Sequence, residues 1–364
     1  MKYLIINTVA GADSPGRIAA NICRDIVKNG DEAVFAYSRT AKNCDDIKLI
    51  KIGCKLDYYC HAIITRLFDR HGLGSKLSTQ RFLRWMDEYK PDIIWMHNIH
   101  GYFINYPMLF DWIKNRRVSV KWTLHDCWAF TGHCAYFTRV GCEKWKSGCE
   151  KCPQLNTYPK SLSDYSSQNY LNKMKAFCGV ENMEIITPSM WLADLVKQSF
   201  LKDYPVTVIN NRIDHNIFYR RTVVNKYAPK KVLLAVANGW GPRKGEQDIY
   251  QLAKKIPNDY VIVMVGLSEK QIQMLPSKKI VGIEKTESQN ELAELYSIAD
   301  WFINPTYEDN YPTVNLEAEA CGCRVITYNV GGCSETINDK RSVAIETGVD
   351  NILRVLTLNN EDRK

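Results

Sequence analysis

The chain has 364 residues, 45% hydrophobic and 24% charged, with 20 Gly, 13 Pro and a formal net charge of +8. That length exceeds what one hydrophobic core normally supports, so two domains are expected, and the composition excludes a disordered or fibrous chain. The positive balance favours anionic partners, but the bases are dispersed in pairs such as Arg220-Arg221 and Lys230-Lys231. No basic tract interleaved with aromatics points to nucleic acid, whereas a phosphorylated substrate or an anionic membrane surface fits.

At the N-terminus, MKYLIINTVAGADSPG reaches Gly and Asp too soon for a signal peptide, and no later stretch holds the roughly 18 apolar residues of a spanning helix. A cytoplasmic protein is expected. Short apolar runs then alternate with amphipathic stretches. The runs are Tyr3 to Val9, Ala33 to Tyr37, Asp92 to Ile99, Val118 to Leu124 and Met183 to Thr187, followed by Val206 to Ile209, Lys231 to Ala237, Tyr260 to Gly266, Lys279 to Ile283, Trp301 to Asn304 and Arg324 to Tyr328. Between them, 17 to 28, 78 to 89, 190 to 200, 245 to 256, 289 to 299 and 313 to 321 carry apolar residues three or four apart. This is an α/β pattern, and it predicts two doubly wound domains facing each other across a cleft, 1–205 and 206–364. The polar, basic segment 210–230 reads as the linker. Residues 40 to 76 have no clean periodicity and receive no role.

The first strand-to-helix turn, TVAGADSPGRIAANI, carries Gly11 and Gly16 where a backbone can approach a phosphate at a helix N-terminus. In the second half, GWGPRKGEQDI places Arg243 and Lys244 after a strand; Arg binds a diphosphate as a fork and Lys as a point charge. After the strand WFINP, the segment PTYEDNYPTVNLEAEACG sets Glu308, Asp309 and Asn310 before Tyr311, Pro312 and a helix starting near Thr313. Asp309 and Glu317 lie eight residues apart, one before that helix and one about two turns into it. Acids so placed accept hydrogen bonds from sugar hydroxyls while the helix N-terminus holds phosphate at the carboxyl edge of the sheet. The combination suits a sugar nucleotide.

PTYEDNYPTVNLEAEACGCRVITYNVGG resembles the donor-site signature of family 4 glycosyltransferases. Further matches are PGRIAANI, HNIHGYFIN at 97 to 105, TLHDCWAFTGHC at 123 to 134, ITPSMWLADL at 186 to 195, VINNRIDHNIF at 208 to 218 and GPRKG at 241 to 245. The resemblance spans nearly the whole chain and is closest to the branch of bacterial capsule and exopolysaccharide clusters. It implies GT-B architecture with two Rossmann-like domains, the first binding acceptor and the second the nucleotide-sugar donor. It also implies transfer of a hexosyl residue, with retention of configuration, to a polyprenyl-diphosphate-linked glycan in surface polysaccharide or lipopolysaccharide synthesis, and a peripheral position on the inner membrane face. By that resemblance Asp309 or its neighbour Glu308 contacts the donor sugar and Glu317 the ribose. Asn310, Tyr311 and Thr313 contact sugar and diphosphate, and Gly16 belongs to the donor set. Lys244 matches the family's phosphate-binding Lys, while Gly239 stands where the family carries Arg, so either Arg243 substitutes for that cation or the cation is missing. His125 matches the His that lies against the reacting sugar, with His97 and His100 as further acceptor-side residues. No catalytic metal is expected, since protein cations and amides face the leaving group.

Within the insertion 127–158, Cys134, Cys142, Cys149 and Cys152 supply four sulfurs, enough for one structural zinc; the alternative is a loop of packed thiols. A closed four-ligand site leaves no position for catalysis, so this module is expected to wall the acceptor side. Two competing functions are a sugar-nucleotide epimerase or phosphorylase of the same architecture, and a zinc-module protein that binds nucleic acid. The paired acids Asp309 and Glu317 argue against the latter.

Overall fold

The computed structural model describes residues 1–361. They divide into two units, Met1–Asn210 and Asn211 onward. In the first unit, β1 (Lys2–Ile6), α1 (Asp13–Lys28), β2 (Glu32–Tyr37), β3 (Leu49–Lys51), α2 (Lys55–Phe68), α3 (Lys76–Tyr89) and β4 (Ile93–Met96) come first. They are followed by α4 (Tyr106–Arg116), β5 (Ser119–Thr123), α5 (Ser166–Phe177), β6 (Met183–Thr187), α6 (Met190–Val196) and β7 (Val206–Val208). All seven strands are parallel, in the order β3-β2-β1-β4-β5-β6-β7.

In the second unit the elements are β8 (Lys231–Val236), α7 (Glu246–Lys255), β9 (Tyr260–Val265), α8 (Glu269–Gln273), β10 (Ile280–Ile283) and α9 (Gln289–Ile298). Then come β11 (Trp301–Asn304), α10 (Thr313–Ala320), β12 (Arg324–Tyr328), β13 (Val343–Ile345) and α11 (Val349–Glu361). This sheet is also wholly parallel, in the order β10-β9-β8-β11-β12-β13. The predicted α/β class with two doubly wound sheets is therefore observed.

The apolar runs are near-continuous because both faces of each sheet are covered. Along β8, Leu233 and Ala235 enter one core with Ile262, Met264 and Ile303. Val232 and Leu234 enter the opposite core with Val261, Val263 and Phe302. Each fully buried Leu, Ile, Val or Phe contributes about 1.5–3 kcal/mol by leaving water, so these strands anchor the loops at their carboxyl ends. Strand order reverses between β1 and β4 in the first sheet and between β8 and β11 in the second. At such a switch point adjacent loops diverge to opposite faces and leave a crevice, where open α/β sheets bind ligands.

Two boundaries differ from the sequence reading. The run 206–209 pairs with β6 and ends the first sheet, so the division falls after Asn210, not after residue 205. The segment 211–230 is packed, not free: Phe218 is buried in the second unit, and Arg221 Nη2 donates to Ile217 O at 2.7 Å and Asn290 Oδ1 at 2.8 Å. Its polar composition hid its apolar anchors, Phe218 with Ile213, Ile217 and Tyr227 packed against the same core. None of the described helices is long and apolar enough to cross a membrane.

Candidate functional site

In the second unit the loops after β8 and β11 meet at the switch point. Gly245, with φ +71°, makes this possible: a Cβ there would stand 2.1 Å from Pro305 O. Tyr307 N–H donates to Arg243 O at 2.8 Å, and the Thr306 hydroxyl to the same carbonyl at 3.3 Å. Arg243 Nη1 donates to Glu308 O at 2.8 Å, and Lys244 Nζ to Asp309 Oδ2 at 2.5 Å. The Lys244–Asp309 pair is mostly buried, so each charge needs the other. Burial alone would raise the Asp309 pKa; the Lys244 and Arg243 cations outweigh it and hold the carboxyl below its ordinary value.

The Asp309 backbone is clamped from behind. Gly332 N–H donates to Asp309 O at 3.2 Å, and Gly331, with φ +57°, leaves a space in which a Cβ would lie 2.0 Å from that oxygen. Asn310 N–H turns back to Asp309 Oδ1 at 2.9 Å, and Asn211 Nδ2 donates to Tyr311 O at 3.1 Å. Pro312 caps α10, which begins at Thr313. On that helix Glu317 is buried and accepts from Tyr296 Oη at 3.4 Å, and Asn315 bonds Asn304 and Thr336. Arg243, Lys244, Glu308, Asp309, Asn310, Tyr311, Thr313 and Glu317 thus lie on two loops and one helix of one sheet edge.

Gly16 belongs to the first unit, inside α1. A Cβ there would meet Val9 Cγ2 at 2.9 Å, so its missing side chain already serves helix packing. At the first switch point, Asn7 Oδ1 accepts from Asn98 N at 3.0 Å and the Thr8 hydroxyl reaches His100 O at 2.6 Å, tying the β1 and β4 loops together. His97 Nδ1 and His125 Nε2 share a hydrogen bond of 2.9 Å with their rings stacked. Burial holds His125 down to about 4 and His97 well below its ordinary value, so this pair is neutral near pH 7. His100 Nε2 lies 3.0 Å from Asp126 Oδ2, and its Nδ1 bonds Tyr158 Oη at 3.0 Å. The three predicted histidines are therefore together. Sequence reasoning passed over Asp126, Tyr158 and His71, whose Nε2 accepts from Gly101 N at 3.3 Å. Asp126 was readable as the acid next to His125; His71 fell in the segment left without a role.

Cys134, Cys142, Cys149 and Cys152 line one small cavity together with His133. Cys149 Sγ accepts from Gly132 N at 3.2 Å. The Cys134 thiol donates to Cys152, which pushes Cys134 up and brings Cys152 down to about 7. His133 Nδ1 meets Asp69 at 2.5 Å with both side chains buried. As these side chains stand, no group of three or more His, Cys, Asp or Glu among the described residues is placed to hold a metal ion. All the cysteines are free thiols. Below them Lys173, fully buried, donates to Trp128 O at 2.6 Å and Thr131 O at 3.0 Å; burial lowers its pKa to about 7.

Residues 220–363 match the family model described as glycosyl transferases group 1. WcaC of Escherichia coli (strain K12), named for colanic acid biosynthesis as a glycosyl transferase, is 25% identical over 360 residues, covering 93% of this chain and 85% of that one. The Campylobacter jejuni N,N'-diacetylbacillosaminyl-diphospho-undecaprenol alpha-1,3-N-acetylgalactosaminyltransferase is 24% identical over 144 residues, 38% of this chain and 36% of that one. Among solved structures, Anabaena HepE in complex with UDP superimposes with a TM-score of 0.66 at 13% identity, covering 100% of this chain and 91% of that one.

Proposed function

We propose that this chain, a glycosyltransferase of GT-B architecture, transfers a hexosyl residue from a nucleoside-diphosphate sugar to a polyprenyl-diphosphate-linked glycan in surface polysaccharide synthesis, with retention of configuration as in family 4. The observation that carries the donor half is the Lys244–Asp309 bridge at the second switch point, which holds a cation where a leaving diphosphate would lie. Support for the acceptor half comes from the similarity to WcaC and to a transferase whose name includes an undecaprenol-linked acceptor.

In this reading Lys244 and Arg243, with the N–H groups opening α10, stabilise charge as the glycosyl–phosphate bond breaks. Asp309, ionised by the same cations, accepts from donor-sugar hydroxyls, with Glu308 beside it, and Glu317 accepts from the ribose. The neutral His125, oriented by His97, faces the acceptor side with His100. No divalent cation is required for the leaving group, so transfer persists in EDTA. A structural zinc between Cys134, Cys142, Cys149 and Cys152 is a second proposal, favoured by their common cavity; elemental analysis of the purified protein tests it. Ligand-induced thermal stabilisation, screened over nucleoside diphosphates and their sugars, tests the donor site. Stabilisation by one nucleoside diphosphate that vanishes in Lys244→Ala is expected; none with any diphosphate contradicts the reading. Incubation with donor alone separates the epimerase alternative, which alters the sugar without an acceptor.

A further inference from the structure

Helix α2 is built inside out. Leu56, Tyr59, Ile63 and Leu67 recur at three- and four-residue spacing, the stripe that a globular helix turns to its core. Here that stripe faces solvent: Leu56 is 70% exposed, Tyr59 60% and Ile63 57%, while His61 and Thr65 are buried on the opposite side. The inversion is fixed by polar bonds. His61 Nε2 accepts from Gly72 N at 3.0 Å and Gly74 N at 3.2 Å, its Nδ1 bonds Ser75 Oγ at 2.8 Å, and Thr65 Oγ1 donates to His61 O at 2.9 Å. Rotating α2 to bury its apolar stripe would break the three bonds that His61 makes to residues outside the helix.

The patch extends beyond the helix. Leu162, 67% exposed, is tied to the end of α2 by its N–H to Arg66 O at 2.8 Å, and Ser163 Oγ donates to Leu67 O at 2.7 Å. The rim is cationic, with Lys55, Arg66, Arg70 and Lys160 all exposed. The two acids of this stretch are engaged: Asp57 Oδ2 accepts from Cys54 N at 2.9 Å, and buried Asp69 pairs with His133.

We propose that this face of α2 with Leu162 seats the chain on an anionic phospholipid bilayer. The proposal rests on the lipid-linked acceptor of the preceding reading and names the surface that meets the lipid. An apolar stripe flanked by cations matches acyl chains below anionic headgroups. A second copy of the chain is a poorer occupant, because a two-fold pairing of this patch sets like charges against one another. The position is also productive within the first unit: inward from the stripe, His61 packs on Tyr102 and His71, and Tyr158 reaches His100. A lipid-bound acceptor entering at this face arrives beside the acceptor-side histidines.

The test is sedimentation of the full chain with phosphatidylcholine vesicles, with and without phosphatidylglycerol, in low and high salt. The wild type should bind the phosphatidylglycerol vesicles and release partly in salt. Ile63→Asp with Leu67→Asp, and separately Arg66→Glu with Arg70→Glu, should each weaken binding about tenfold or more, at unchanged melting temperature. Absence of wild-type binding, equal binding to neutral vesicles, or wild-type-like binding by both variants overturns the proposal. So does a concentration-dependent dimer that Ile63→Asp abolishes. Vesicle binding without any nucleoside-diphosphate binding would leave the membrane face standing and overturn the donor reading instead.

Discussion

Lys244 and Asp309 stand 65 positions apart in the chain, and their contact sets the charge state of the donor loop. Replacing Lys244 with Ala removes both a diphosphate cation and the partner of a mostly buried carboxylate, so transfer should fall about 10²–10³-fold. Asp309→Asn keeps the shape and should restore less than Asp309→Glu, measured as initial rates at saturating donor. Lys244, Asp309 and Glu317 were legible as candidates because a Lys after a strand and spaced acids before and along a helix have a chemical signature, and the fold brings them to one sheet edge. Asp248 was not: it accepts from Tyr307 at 2.8 Å and Tyr328 at 2.5 Å beneath the site, a role created by the packing of α7 against the ends of β11 and β12.

The donor loops depend on glycines whose φ is positive and whose Cβ space is filled by backbone. Gly245→Ala or Gly331→Ala would force a methyl within about 2 Å of a carbonyl oxygen. Each should cost about 1–3 kcal/mol and lower the melting temperature by several degrees; thermal unfolding within a degree of wild type would contradict the loop description. Most strands were readable as apolar runs because both faces of each sheet are buried; the short edge strands β3 and β13, with few buried residues, were not. Helix α2 was not assigned: Leu56, Tyr59, Ile63 and Leu67 do stand at helical spacing, but that stripe faces solvent while polar His61 and Thr65 face inward, so the spacing does not mark its buried face. The run at 206–209 was readable as a strand, but which sheet it joins is set by pairing with β6, a long-range choice that local pattern does not encode.

Across the molecule, two parallel sheets each reverse strand order once, and the candidate site residues collect at the two reversals. The first unit gathers His97, His100 and His125 after β4 and β5; the second gathers Arg243, Lys244 and Asp309 after β8 and β11. The proposed function gives acceptor and donor to separate units; length and alternating pattern announced the two domains, and the resemblance implied their roles. The four cysteines, conspicuous in the sequence, line a cavity in the first unit and lie outside the donor loops. The most direct test of the account is transfer of radiolabelled sugar from the nucleoside-diphosphate sugar identified by thermal shift to a polyprenyl-diphosphate-linked glycan, by wild type and by Lys244→Ala. The account predicts labelled lipid with the wild type and a loss of about 10²–10³-fold in the variant. Equal labelling by both would contradict it.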